Sequence, residues 1–174
     1  QQGRLVRDRL VEVDVTGAVT DVTAVVGDAA PDLLLLNDGD LSFAKIRLDP
    51  HSARTAVAEI GRIEDSLART LVWGAAWDMT RDAEMSCGDY VALVCSGIVV
   101  ESDISVVQTT LRQTKAAIDQ YAAPDNRATY LAAMTEMLWD AAASSDPGSD
   151  HQLAFVRSFA GFAESEADLV RVRG

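Results

Sequence analysis

The run Ser42-Phe43-Ala44-Lys45-Ile46-Arg47-Leu48-Asp49-Pro50-His51-Ser52-Ala53-Arg54-Thr55-Ala56-Val57-Ala58-Glu59-Ile60 holds the point at which the chain changes character. Before Asp49, Ala44, Ile46 and Leu48 alternate with Phe43, Lys45 and Arg47, the period of a strand with two unlike faces. Beyond Pro50 the apolar residues recur every three or four positions, and that spacing continues to the end of the sequence. Strands are therefore expected up to about residue 50 and helices after it.

Working back from the junction, Leu33 to Leu36 form a continuous apolar run, and Asn37-Asp38-Gly39-Asp40 has the composition of a turn, so these residues with Ser42 to Leu48 predict a hairpin. Further back, Leu10 to Val15 and Val19 to Val26 are rich in β-branched residues and are separated by Thr16 and Gly17. That predicts a second antiparallel hairpin, with Gly17 free to take positive φ.

Working forward, Ser52 to Ile60 predicts a short helix ended by Gly61, and Asp65 or Ser66 caps one running to about Arg81. The uncharged stretch Leu71 to Trp77 predicts that this helix is enclosed on more than one side. Tyr90 to Val100 fits either a buried strand or a helix, and Asp89 as a cap favours helix. Asp103 caps a segment with Ile104, Val107, Leu111, Thr114, Ile118 and Tyr121 on one stripe. Pro124 opens a helix with Leu131, Met134, Leu138 and Ala141 on one face, which Asp146-Pro147-Gly148-Ser149 breaks. Phe155, Phe159 and Phe162 mark the next helix, and Glu166 to Val172 the last. The fold class expected is α+β: a small antiparallel β segment followed by an α-helical bundle or α-solenoid of antiparallel helix pairs.

Fifteen Lys and Arg against 27 Asp and Glu give a net charge of -12, which repels phosphate backbones and anionic headgroups, so neither nucleic acid nor membrane is expected as a partner. An apolar fraction of 48% with 24% charged residues describes a chain that folds. Two cysteines would make a thin disulfide framework at this length, which favours a reducing compartment and a cytoplasmic location. The first residue is Gln, so the N-terminus is expected to be processed or to be a cut inside a longer chain.

Residues able to do chemistry are sparse. His51 and His151 stand one hundred positions apart, and neither has a His or Cys at ligand spacing, so no metal site is expected on either. Cys87 and Cys95 are eight apart, too far for a C-x-x-C pair. Asn37 to Asp40 lacks the alternating acids of a calcium loop. Asp78, Asp82 and Glu84, and Glu136 with Asp140, bring carboxylates near one another, but among 27 acids such pairs are ordinary solvated helix surface. Trp73, Trp77 and Trp139 fall at helical spacing and are expected in the core. No catalytic, cofactor-binding or metal-ligating residue is expected in this chain.

The segment Leu33 to Asp49 resembles a junction in the aminopeptidase N family of zinc exopeptidases, in which a strand ends at an Asn, a turn follows, and an aromatic, basic, aliphatic, basic series leads to an acid. Ile63 to Arg69 and the W-x-x-x-W-D-M-T-R run from Trp73 to Arg81 are similar to the first helices of that family's C-terminal domain, especially in actinobacterial members. So are Asp89 to Val94 and Glu101-Ser102-Asp103-Ile104, and thirteen Arg against two Lys suit a GC-rich genome. The resemblance implies that residues 1–50 are the end of a β-sandwich domain and 51–174 the N-terminal part of a helical C-terminal domain. It also implies a non-catalytic fragment of a zinc-dependent aminopeptidase that removes N-terminal amino acids from peptides, the fragment helping to enclose the substrate chamber.

The family's H-E-x-x-H and G-x-M-E-N segments are absent, so no cofactor is expected in this fragment and zinc would belong to the parent enzyme. The partners implied are the remainder of the parent chain, peptide substrates in the full enzyme, and self-association through faces exposed by truncation. A helix barely begun at the end of the sequence is expected to mark a cut there too. The competing readings are an independent α-solenoid scaffold that binds another protein and an autonomous enzyme using a carboxylate pair.

Overall fold

Asp49 opens the first helix by accepting hydrogen bonds from the His51 and Ser52 amides at 2.9 and 3.1 Å, and Pro50 takes the first helical position, where no amide is needed. The structure, a computed structural model, describes residues 3–173. Its helices are α1 (Pro50–Glu59), α2 (Ser66–Arg81), α3 (Cys87–Gly97), α4 (Ile104–Tyr121), α5 (Pro124–Ser144), α6 (Asp150–Phe162) and α7 (Glu166–Arg173). Short 3-10 turns, Ile60–Arg62 and Ile98–Val100, extend α1 and α3.

Each start has a local chemical cause. Asp65 accepts from the Leu67 amide at 2.8 Å and Asp103 from Ser105 at 2.8 Å. Ser86, Ser149 and Ser165 accept from the Asp89, Gln152 and Asp168 amides. The expected cap Asp89 is thus inside the first turn of α3, with Ser86 as the cap. The helix reading of that stretch holds, shifted toward the N-terminus.

One core runs through the helices. Ile60, Val72, Tyr90, Leu93, Ile98, Val107, Ile118, Met134 and Leu138 are fully buried within it, and the three phenylalanines of α6 join them. Helix α3 packs on α1, α4 and α5, and α6 lies against both α4 and α5. The end of α1 comes very close to α3, because a Cβ on Gly97 would stand 2.3 Å from Ile60 Cγ2. Glycine is required at that crossing.

The β half of the expected α+β class is corrected. Among the described residues there is no strand or sheet, only an isolated parallel bridge between Leu5 and Ile63. Leu10–Val15 and Val19–Val26 are exposed extended chain and a 3-10 turn (Thr23–Val25), with Val15 and Val19 81% and 82% accessible. The bend falls one residue on, at Gly17 and Ala18, with Gly17 at φ +67°, and it is closed by the Thr20 hydroxyl on the Thr16 main chain rather than by a partner strand. The physical reason is that a strand's amides and carbonyls are satisfied only across a ladder, and a lone hairpin is marginal in water.

The turn at Asn37–Asp40 forms, with the Asp40 amide donating to Asn37 O at 2.9 Å, but no hairpin flanks it. The alternation survives as one-sided burial. Leu33, Leu35, Ile46 and Leu48 rest against the helices while Leu34, Leu36 and Phe43 face solvent.

Candidate functional site

Helix α2 places Arg69 and Trp73 one turn apart on one face, and the bend after α3 brings Glu101 opposite them. Arg69 is 6% and Glu101 2% exposed. Arg69 Nε and Nη2 donate to Glu101 Oε2 and Oε1, both at 3.0 Å, the bidentate geometry in which a guanidinium matches a carboxylate. Trp73 Nε1 donates to Oε2 at 3.2 Å, and the Ser102 amide to Oε1 at 3.1 Å. Arg69 Nη1 donates to the carbonyls of Ile63 and Glu64 at 2.8 and 3.1 Å. On the far side, His151 Nε2 donates to the Glu101 carbonyl oxygen across 3.0 Å.

Burial pushes the Glu101 carboxyl up, but the hydrogen bonds from Arg69 and Trp73 and the charge of Arg69 outweigh it and hold the group below its ordinary value. Each carboxylate oxygen already accepts two donors, so the group has no free lone pair aimed at a substrate. The arrangement ties α2, the 63–64 segment, the start of α4 and α6 to one point. Sequence reading missed it, although a signal exists: Arg69 sits between Ala68 and Val72 on an apolar face, and Glu101 ends the run Ile98-Val99-Val100.

The residues weighed from sequence lie apart. His51 is exposed on α1 and His151 half-buried on α6, and among the described residues no group of three His, Cys, Asp or Glu forms a metal cluster. Cys87 and Cys95 are free thiols that burial pushes up, and Cys95 lies 3.7 Å from Met134 Sδ. Asp82 receives Lys45 at 2.5 Å and Arg47, and Arg47 also pairs with Glu84, so these acids fasten the extended segment to the end of α2. The Lys45 hydrogen bond lowers the Asp82 carboxyl. Asp78 faces Arg81 at 4.0 Å and Glu136 pairs with Arg171 at 2.8 Å, while Asp140 is exposed.

Trp73 is core as expected. Trp77 is half-buried beside Tyr90 and Tyr121, with ring centroids 5.9 and 6.4 Å away. Trp139 is instead 41% exposed, under the Arg171 guanidinium at 5.3 Å. Among the described residues, no helix is long and apolar enough to cross a membrane.

Two comparisons bear on this arrangement. The profile of the ERAP1-like C-terminal domain matches residues 33–171. A protein from Streptomyces lividans, Aminopeptidase N, is 52% identical over 167 residues, which is 96% of this chain and 20% of that protein. The chain spans about a fifth of the length of that relative.

Proposed function

The chain belongs to the ERAP1-like C-terminal domain family, as a C-terminal portion of an aminopeptidase N family protein, and from that premise we propose that it is a non-catalytic wall of a peptidase chamber. The observation that carries the reading is the 52% identity to Aminopeptidase N across 96% of the chain. The reaction proposed for the whole protein is zinc-dependent removal of N-terminal residues from peptides.

The residues present do not fit a zinc ion: the two histidines sit on different helices, and of the two thiols Cys87 is buried and Cys95 half-buried within the helical body. The zinc and the groups that activate water are therefore assigned to the remainder of the parent chain, which is this portion's first partner. Helices stacked in series make a broad surface from modest chain length, which suits a wall. In this reading the helical domain opens near Asp49 and Pro50, with residues 51–174 as its N-terminal part. Two free thiols, one buried and one half-buried, agree with a reducing, cytoplasmic setting.

The test is a chimera in which this chain replaces the matching stretch of the Streptomyces lividans protein. Peptides carrying a benzophenone at the C-terminal end should label residues within 33–171 while their N-terminal residues are removed. Labelling confined to other parts of the chimera would contradict the role of wall.

A further inference from the structure

The extended segment 33–48 leads into α1 and meets the helical body at two places. At one, the buried Ser52 of α1 accepts the Leu34 amide at 2.8 Å while its hydroxyl donates to Asp49 at 2.5 Å. At the other, Lys45 Nζ reaches Asp82 at 2.5 Å and Arg47 contacts both Asp82 and Glu84. Leu33, Leu35 and Ile46 pack against the core from the same segment, and Leu48 is buried in it.

The receiving turn is shaped by a left-handed residue. Ala83 stands at φ +60°, where an L side chain is uncommon, and Met79 O takes the amides of Glu84 and Met85 at 2.8 and 3.1 Å. The chain therefore reverses at the end of α2, and the acids on either side of Ala83 converge on one guanidinium. All three nitrogens of that guanidinium are engaged: Nη2 donates to Asp82, Nε faces Glu84, and Nη1 donates to the carbonyl of Ile46 at 3.1 Å. A planar fork with every arm occupied admits one orientation. The three ion pairs share Arg47 and Asp82, so they form a network, the arrangement in which surface charges hold a geometry that an isolated pair does not.

We infer that Arg47 is a positioning residue: seated on the Asp82–Glu84 turn, it fixes the angle at which the chain before Asp49 meets the helices, so that segment 33–48 and the helical body move as one. The junction is a rigid elbow. Lys45 steadies the same seat from the neighbouring acid, and Ser52 holds the far end of the segment. The elbow goes beyond the chamber reading, since helices that wall off nothing would still carry the preceding part of the chain at this angle.

The experiment uses the full chain, labelled with ¹⁵N and weakly aligned, and reads the residual dipolar couplings of backbone amides. Couplings from residues 44–48 should fit the alignment tensor that describes α1 to α6. Arg47→Glu sets a like charge against Asp82 and Glu84, and should collapse the couplings of residues 44–47 toward zero while those of the helices stay. Arg47→Glu combined with Glu84→Arg rebuilds an ion pair of reversed sense and should restore them, which a merely space-filling role for Arg47 would not allow. Couplings that are already averaged toward zero in the unchanged chain, that survive Arg47→Glu, or that stay lost in the charge-swapped chain would each overturn the inference.

Discussion

Arg69 and Glu101 are worth more as a pair than either is alone. Replacing Arg69 with Met leaves a buried carboxylate without its counter-ion and should cost about 3–5 kcal/mol in urea unfolding, whereas Arg69→Met with Glu101→Leu should cost far less than the two single changes summed. The pair also sets a pH dependence. A carboxyl whose folded pKa lies below its unfolded one contributes stability above the unfolded value and loses it as pH falls through the folded value. Glu101 is lowered from 4.5, so its contribution should be intact at neutral pH and decline as pH drops below that figure. Glu101→Gln should flatten this part of the acid limb of Tm against pH, and an unchanged limb would contradict the assignment. The apolar neighbours of Arg69 and of Glu101 hint that each is buried, but that they pair was not legible in the sequence, because a partner 32 positions away leaves no local periodicity.

At the scale of elements, the helices were legible because their causes are local. Asp49, Asp65 and Asp103 cap where a short polar residue precedes an apolar period, and the stripe Val107, Leu111, Thr114 and Ile118 is buried as its spacing requires. The same stripe ends in an exposed Tyr121, since periodicity sets direction but not whether a neighbour arrives. Strands failed for the opposite reason: Val13, Val15, Val19 and Val26 have the right composition, yet a ladder partner is a non-local requirement. The glycine contacts make a sharper test of element packing. Gly97→Ala drives a methyl into the β-branched, fully buried Ile60 and should cost about 1–3 kcal/mol in thermal unfolding. Gly88→Ala meets only the hydroxyl end of half-buried Tyr130, at 2.7 Å, and should cost less. Equal losses would mean that α1 and α3 do not cross as closely as described.

At the scale of the whole molecule, the family was legible from the order of short segments along the chain, Leu33 to Asp49, then Trp73 to Arg81, then Glu101 to Ile104. No single one of them is diagnostic. Within the fold they supply a turn, the body of α2 and the junction into α4. Three of the acids that sequence reading singled out hold segments together, Asp82 and Glu84 through Lys45 and Arg47, and Glu136 through Arg171. The account therefore stands or falls on catalysis by the isolated chain. The direct measurement is hydrolysis of aminoacyl anilides by the purified protein with zinc supplied, followed with and without chelator. The account predicts no release above the buffer rate in either condition, and turnover that zinc supports and chelator abolishes would contradict it.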